Sequence, residues 1–172
     1  SGAGAMGGAV MTQVLLDERL VLLRPAVRDR DELLAAMAER LRTCGAVREG
    51  FFEALMEREK QFPTGLPTEG VGIAIPHADA EFVAAPAVCV AVLADAVPFR
   101  RMDNPAECIG AHVVLMLALN NPDAQIRTLQ RLAQSIQDSE FWQRMRTASS
   151  TGEVIGSLRM LLPSTTKQER GE

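Results

Sequence analysis

The stretch Val113 to Leu119 is apolar at every position, and that run constrains the fold more than any other feature of the chain. It falls far short of the roughly 20 residues that cross a bilayer as a helix. It also lacks the polar alternation that lets one face of a strand meet water. It therefore reads as a buried strand, which requires other elements packed over it. Ala87 to Leu93 is a second, nearly all-apolar run, and Val97 to Phe99 a third short piece. Leu20 to Leu23 reads as a short strand ending at Arg24-Pro25, and Val71 to Ile75 as another, closed by Pro76-His77.

Helical patterns lie between these runs. Asp29 or Asp31 is placed to cap a helix whose apolar positions Leu33, Leu34, Met37 and Leu41 follow helical spacing, and Gly45 stops it. A second helix is predicted from about Glu49 to Gln61, with Phe52, Leu55 and Met56 on one face. The segment Phe62-Pro63-Thr64-Gly65-Leu66-Pro67 breaks it, because two prolines and a glycine cannot continue a helix. Asn121-Pro122-Asp123 combines an Asn cap, a proline in the first turn and an acid favoured by the helix dipole. Ile126, Leu129, Leu132, Ala133 and Ile136 mark the expected buried face of that helix, and Ser139 and Thr151 are expected caps for two more. Strands and helices interleaved along one chain predict a layered α/β domain over residues 11–163. The expected architecture is a mixed, mostly parallel β-sheet flanked by helices on both faces. Residues 1–10, only Ser, Gly, Ala and Met through Gly8, read as a disordered cloning scar, and residues 164–172 as a polar tail.

The chain's 172 residues suit about one domain. Its 18 Lys and Arg against 22 Asp and Glu leave a net charge of −4, without the basic excess of a protein that binds nucleic acid by neutralising phosphates. The three cysteines Cys44, Cys89 and Cys108 form no CxxC pair. They point to neither a disulfide framework nor a thiolate zinc site, and read as small, part-buried apolar residues of a reducing compartment. With no signal-peptide pattern and no membrane-spanning run, the expected location is cytoplasmic, without direct membrane insertion.

Only two histidines are present, so chemistry near neutral pH has few places to occur. His112 enters an apolar run and reads as a strand-end side chain with one satisfied hydrogen bond. His77 follows Gly70-Val71-Gly72-Ile73-Ala74-Ile75-Pro76. Pro76 has a fixed φ and no amide donor, so it ends the ladder and turns the next side chain into the loops at a strand end, where α/β proteins hold ligands. No second His, Cys or acid stands at metal-ligand spacing from it, and no metal or cofactor is expected. No GxSxG and no phosphate-binding Gly-Lys-Ser/Thr loop occurs, and Gly70-Val71-Gly72 leads into a strand rather than a helix. What remains is a nucleophile or a general base, mostly neutral at cytoplasmic pH. On the residues alone, an ordinary loop histidine is an equally open reading.

The segments Met56-Glu57-Arg58-Glu59-Lys60, Pro63-Thr64-Gly65 and Gly72-Ile73-Ala74-Ile75-Pro76-His77 resemble the EIIA components of the bacterial phosphoenolpyruvate-dependent sugar phosphotransferase system, fructose/mannitol class. Phe62-Pro63-Thr64-Gly65-Leu66, with Leu117-Ala118-Leu119-Asn120-Asn121-Pro122 and Gln125, is similar to the galactitol-type EIIA within that class. The likeness spans roughly residues 15 to 160. It implies that His77 takes a phosphoryl group from the phosphohistidine of HPr and passes it to a cysteine of a cognate EIIB, which phosphorylates an incoming sugar or polyol. It also implies that Arg58, matching the family's Arg-Glu segment, holds the phosphoryl oxygens. Gln125 stands where mannitol-type relatives carry a second histidine; its amide can donate a hydrogen bond but cannot take up charge. Thr64 is expected either as a hydroxyl donor or in a turn role, and Asp79 either fixes the imidazole tautomer or is an ordinary loop aspartate. Phe62, Leu66 and Phe82 are either core or the face that receives HPr, and Arg100-Arg101 either a solvated turn or a docking point. The alternative reading is a regulatory module whose His77 phosphorylation state modulates a protein partner. A non-catalytic binding domain is disfavoured by the complete Ile-Pro-His signature.

Overall fold

In the computed structural model, which describes residues 14–162, the apolar runs become one five-stranded sheet. Strands β1 (Val21–Leu23), β2 (Gly65–Leu66), β3 (Ile73–Ala74), β4 (Ala87–Arg100) and β5 (Cys108–Ala118) lie in the order β1-β4-β5-β3-β2. The expected scar, the expected tail, and residues 11–13 and 163 of the expected domain lie outside the described residues.

The centre of the sheet is the antiparallel ladder of β4 and β5. It runs from Ala87 opposite Ala118 to Val92 opposite Val113, shifts register, and resumes from Val97 opposite Ala111 to Arg100 opposite Cys108. The separate short piece expected at Val97–Phe99 is thus the far end of β4, carried past an irregularity that bends the strand without ending it. β1 joins β4 in parallel, β3 joins β5 in parallel, and β2 pairs antiparallel with β3. The expected mixed α/β sheet is present; two of its four junctions are parallel and the longest ladder is antiparallel.

Side-chain alternation along the central strands sorts the core into two layers. Ala87, Cys89, Ala91, Val114, Met116 and Ala118 face one side, which α1 (Arg30–Thr43) and α2 (Phe51–Gln61) cover with Leu33, Leu34, Met37, Leu41, Phe51 and Leu55. Val88, Val90, Val92, Val113, Leu115 and Leu117 face the other, covered by α3 (Pro122–Ser135), α4 (Ser139–Arg146) and α5 (Thr151–Leu161). Helices thus lie on both faces, as expected. Each fully buried Leu, Val or Phe stabilises the fold by about 1.5–3 kcal/mol, and both apolar runs contribute to each layer. Small residues on the α1–α2 side let those helices approach closely.

Local signals explain most helix ends. Asp29 caps α1, its side chain accepting the Glu32 N–H, and Asn121 caps α3. Asp138 and Ser150, rather than Ser139 and Thr151, cap α4 and α5. In each the capping oxygen reaches the amide three residues ahead, which makes the next residue the first helical one. On α3, Ala124 and Leu132 are buried but Ile126 is 55% exposed. At 100° per residue it lies roughly 120° round the helix from Leu132. Among the described residues no helix is long and apolar enough to cross a membrane.

Candidate functional site

The ladder does not stop at Ala74. The Ile75 N–H donates to the Thr64 carbonyl at 3.2 Å, the Leu117 N–H donates to the Pro76 carbonyl at 3.0 Å, and His77 itself bridges to Leu117 on β5. Pro76 therefore spends its only backbone polar group on the sheet, and the histidine behind it sits on a fixed backbone.

The His77 side chain is 5% exposed, and its Nδ1 lies 2.8 Å from the Ile75 carbonyl oxygen. A carbonyl only accepts, so Nδ1 carries the proton and the neutral ring keeps its lone pair on Nε2. Burial holds the imidazole below its ordinary pKa; the Ile75 hydrogen bond opposes this, Arg58 adds to it, and Asp79 opposes it. The result is a neutral ring at pH 7 with one nucleophilic nitrogen.

Arg58 reaches the same place from α2. Its Nη1 donates to Asp79 Oδ1 at 3.0 Å, and its guanidinium carbon lies 5.7 Å from the centre of the Phe62 ring. Its Nε is buried without a hydrogen-bond partner among the described residues. A guanidinium with one donor unsatisfied, tied to Asp79 two residues past His77, puts positive charge near the imidazole. The tautomer is set by the Ile75 carbonyl and not by Asp79, because that carboxylate turns to the guanidinium instead. Gln125, half-buried in the first turn of α3, donates from Nε2 to the Ala78 carbonyl at 3.3 Å and so ties that helix to the residue after His77.

Thr64 requires a correction. It is buried, and its hydroxyl donates to Glu59 Oε1 at 2.8 Å while its N–H donates to Glu59 Oε2 at 2.9 Å. Its single hydroxyl proton goes to a buried carboxylate, which matches the turn role and not that of a hydroxyl donor to the phosphoryl group. Glu59 is the residue that motif reading passed over. The signal was present, since Phe51, Leu55 and Glu59 recur every four residues and form the buried face of α2.

The remaining expectations separate cleanly. Leu66 is core, Phe82 is half-buried and Phe62 is 62% exposed. His112 lies within β5, five positions from Leu117, or about 17 Å along the strand, and does not join the site. Arg101 pairs with Asp103 and Glu107, whereas Arg100 ends β4 and donates from Nη1 to the Pro105 carbonyl at 3.0 Å. All three cysteines are free; Cys89 is buried and its thiol is pushed up to about 12, Cys44 is half-buried, and Cys108 is exposed rather than part-buried. Two clefts of about 680 and 570 Å³ lie elsewhere, one beside Phe52 and one beside Trp142, and neither is lined by His77.

Residues 14–159 match the family model described as phosphoenolpyruvate-dependent sugar phosphotransferase system, EIIA 2. The galactitol-specific EIIA component of Escherichia coli strain K12 is 28% identical over 123 residues, covering 72% of this chain and 81% of that protein. In the complex of enzyme IIAMtl and phosphorylated enzyme IIBMtl from Escherichia coli, the matching chain aligns with a TM-score of 0.69 at 23% identity, over 86% of this chain and 99% of that one. The crystal structure of the mannitol IIA from Escherichia coli aligns with a TM-score of 0.66 at 24% identity, over 84% of this chain and 99% of that one.

Proposed function

The chain belongs to the EIIA 2 family of the phosphoenolpyruvate-dependent sugar phosphotransferase system, whose components are phosphotransferases, and from that premise we propose that His77 is its phosphoryl carrier residue. The observation that carries this reading is the 2.8 Å contact between His77 Nδ1 and the Ile75 carbonyl. It leaves Nε2 as the only ring nitrogen with a free lone pair, on a ring that burial keeps neutral.

In the proposed first step, His77 Nε2 attacks the phosphorus of phospho-HPr. The new P–N bond forms as the donor's P–N bond breaks, and the donor histidine leaves as imidazole. In the second step, a cysteine thiolate of a cognate EIIB attacks the same phosphorus; a P–S bond forms and His77 returns to the neutral ring. Each step exchanges one reactive phosphoryl bond for another, so the protein's task is positioning and charge stabilisation. Arg58 supplies the charge, its guanidinium held by Asp79 two residues past His77 and its Nε without a partner among the described residues. Gln125 offers the amide proton that Ala78 does not take. Nδ1 keeps its proton throughout and goes on donating it to the Ile75 carbonyl, which stabilises the phosphorylated ring in one orientation.

The likeness to a galactitol-specific EIIA supports a polyol as the substrate of the system this chain serves, with transfer in the cytoplasm. The test is incubation with phospho-HPr and then with a panel of EIIB proteins. Wild type should take up one phosphoryl group and pass it on, and a folded His77→Ala variant should take up none. Full uptake by that variant overturns the acceptor; uptake without transfer to any EIIB overturns the carrier role and favours the regulatory one.

A further inference from the structure

We infer that Glu59 is a positioning residue of this site: through Thr64 it locks the arginine-bearing end of α2 to the strand that orients His77. The inference rests on His77 being the phosphoryl acceptor. Glu59 is 2% exposed, and both its carboxylate oxygens accept from one residue, Oε2 from the Thr64 N–H at 2.9 Å and Oε1 from the Thr64 hydroxyl at 2.8 Å. The Thr64 carbonyl in turn accepts the Ile75 N–H at 3.2 Å. The Ile75 carbonyl then accepts His77 Nδ1–H at 2.8 Å. Both backbone polar groups of Ile75 are used, one toward Thr64 and the other toward the imidazole.

The chain of contacts matters because the two halves of the site come from different elements. Arg58 precedes Glu59 in the last turns of α2, whereas His77 follows the end of β3. The direct tie between those segments, Arg58 to Asp79, has side chains 36% and 65% exposed and is screened by solvent. The Glu59–Thr64 pair is dry, and hydrogen bonds to an ionised group strengthen in a low dielectric. It closes the turn over Lys60 to Pro63 and delivers β2 to β3, where Gly65 stands opposite Ala74. Burial pushes the Glu59 carboxyl up, and the two Thr64 bonds and Arg30 oppose that shift. A leucine in line with Phe51 and Leu55 would bury there without needing donors. The carboxylate belongs to the joint, and the joint sets where the guanidinium stands relative to Nε2.

The experiment uses Glu59→Gln, Thr64→Val and Thr64→Ser in the full chain, with two readouts. The first is the His77 ring tautomer from its two ¹⁵N resonances; the second is kcat and KM for uptake from phospho-HPr. Glu59→Gln and Thr64→Val should place a measurable share of His77 in the other tautomer. They should also lower kcat about tenfold with KM within about twofold, as expected for misplaced reacting groups. Thr64→Ser, which returns the hydroxyl, should restore both readouts. A wild-type tautomer and kcat in folded Glu59→Gln or Thr64→Val overturns the inference. If Glu59→Gln does not fold, Thr64→Val, which removes one hydroxyl at constant shape, decides it. If the wild type takes no phosphoryl group from phospho-HPr, the functional reading fails, while the tautomer arm still decides the role of Glu59.

Discussion

Arg58 forms an ion pair at 3.0 Å with Asp79, two residues beyond His77, so the cation whose charge acts on the imidazole already has an anionic partner. With both side chains partly exposed, the pair is worth about 0–1 kcal/mol. A phosphoryl group on His77 competes with Asp79 for the same guanidinium and is also repelled by that carboxylate. Asp79→Asn should therefore lengthen the lifetime of phospho-His77 against hydrolysis, by up to about fivefold for an interaction of that size. The measurement is loss of ³²P label over time, and an unchanged or shortened lifetime removes Asp79 from the site.

Arg58→Ala should slow uptake from phospho-HPr by about 100-fold while leaving His77 able to accept the group, as removal of one preorganised donor commonly does. Arg58→Lys should recover only part of the rate, because an ammonium lacks the planar fork. Quench-flow rates on both variants check this. Equal rates for Arg58→Ala and wild type would make Arg58 a bystander.

Burial lowers the His77 pKa, so its midpoint should lie below the ordinary value of about 6.5. As pH falls beneath that value, the unfolded chain binds the proton first. The stability contribution of His77 is thus whole above it and declines as pH drops toward the folded midpoint. An NMR titration gives the midpoint directly, with His112→Gln separating the two histidine signals. Denaturant midpoints of wild type and His77→Gln should converge over the same acidic interval. A His77 midpoint at or above 6.5 would contradict the burial argument.

Two glycines predict opposite outcomes. A Cβ on Gly72 would stand 1.9 Å from the Gly110 carbonyl oxygen, where β3's approach meets β5. Gly72→Ala should cost about 3 kcal/mol or more, the upper end for overpacking, because the obstacle is backbone. Gly156, inside α5, meets nothing within 4 Å. Gly156→Ala should stabilise by about 0.5–1 kcal/mol through helix propensity. Urea midpoints at constant slope measure both.

Much of the fold is legible in the sequence. The run Val113 to Leu119 lies in or next to β5, Asp29 and Asn121 cap the helices they precede, and Pro76-His77 stands out from the residues around it. Each signal is local: periodicity, capping and proline geometry depend on neighbours within one or two turns. Two caps fall one residue before the expected ones and Ile126 turns outward, but the larger errors are those of distance. Val97–Phe99 belongs to β4 because its partner strand continues past the irregularity. β2, two residues long, exists only because β3 lies beside it.

The sequence by itself determined the two buried layers and the starts of α1 and α3, and it set His77 apart as the candidate residue, since burial on two faces, capping and a proline-ended strand are written in consecutive residues. Only the tertiary structure decided which nitrogen of His77 is free, that Asp79 holds Arg58, and that Thr64 turns inward to Glu59. Arg58 and Asp79 are 21 residues apart and Gln125 and Ala78 are 47 apart. Hydrogen-bond direction across such distances follows from how elements cross, and even the short-range bonds of His77 to Ile75 and of Thr64 to Glu59 depend on which groups lose their water when the elements pack.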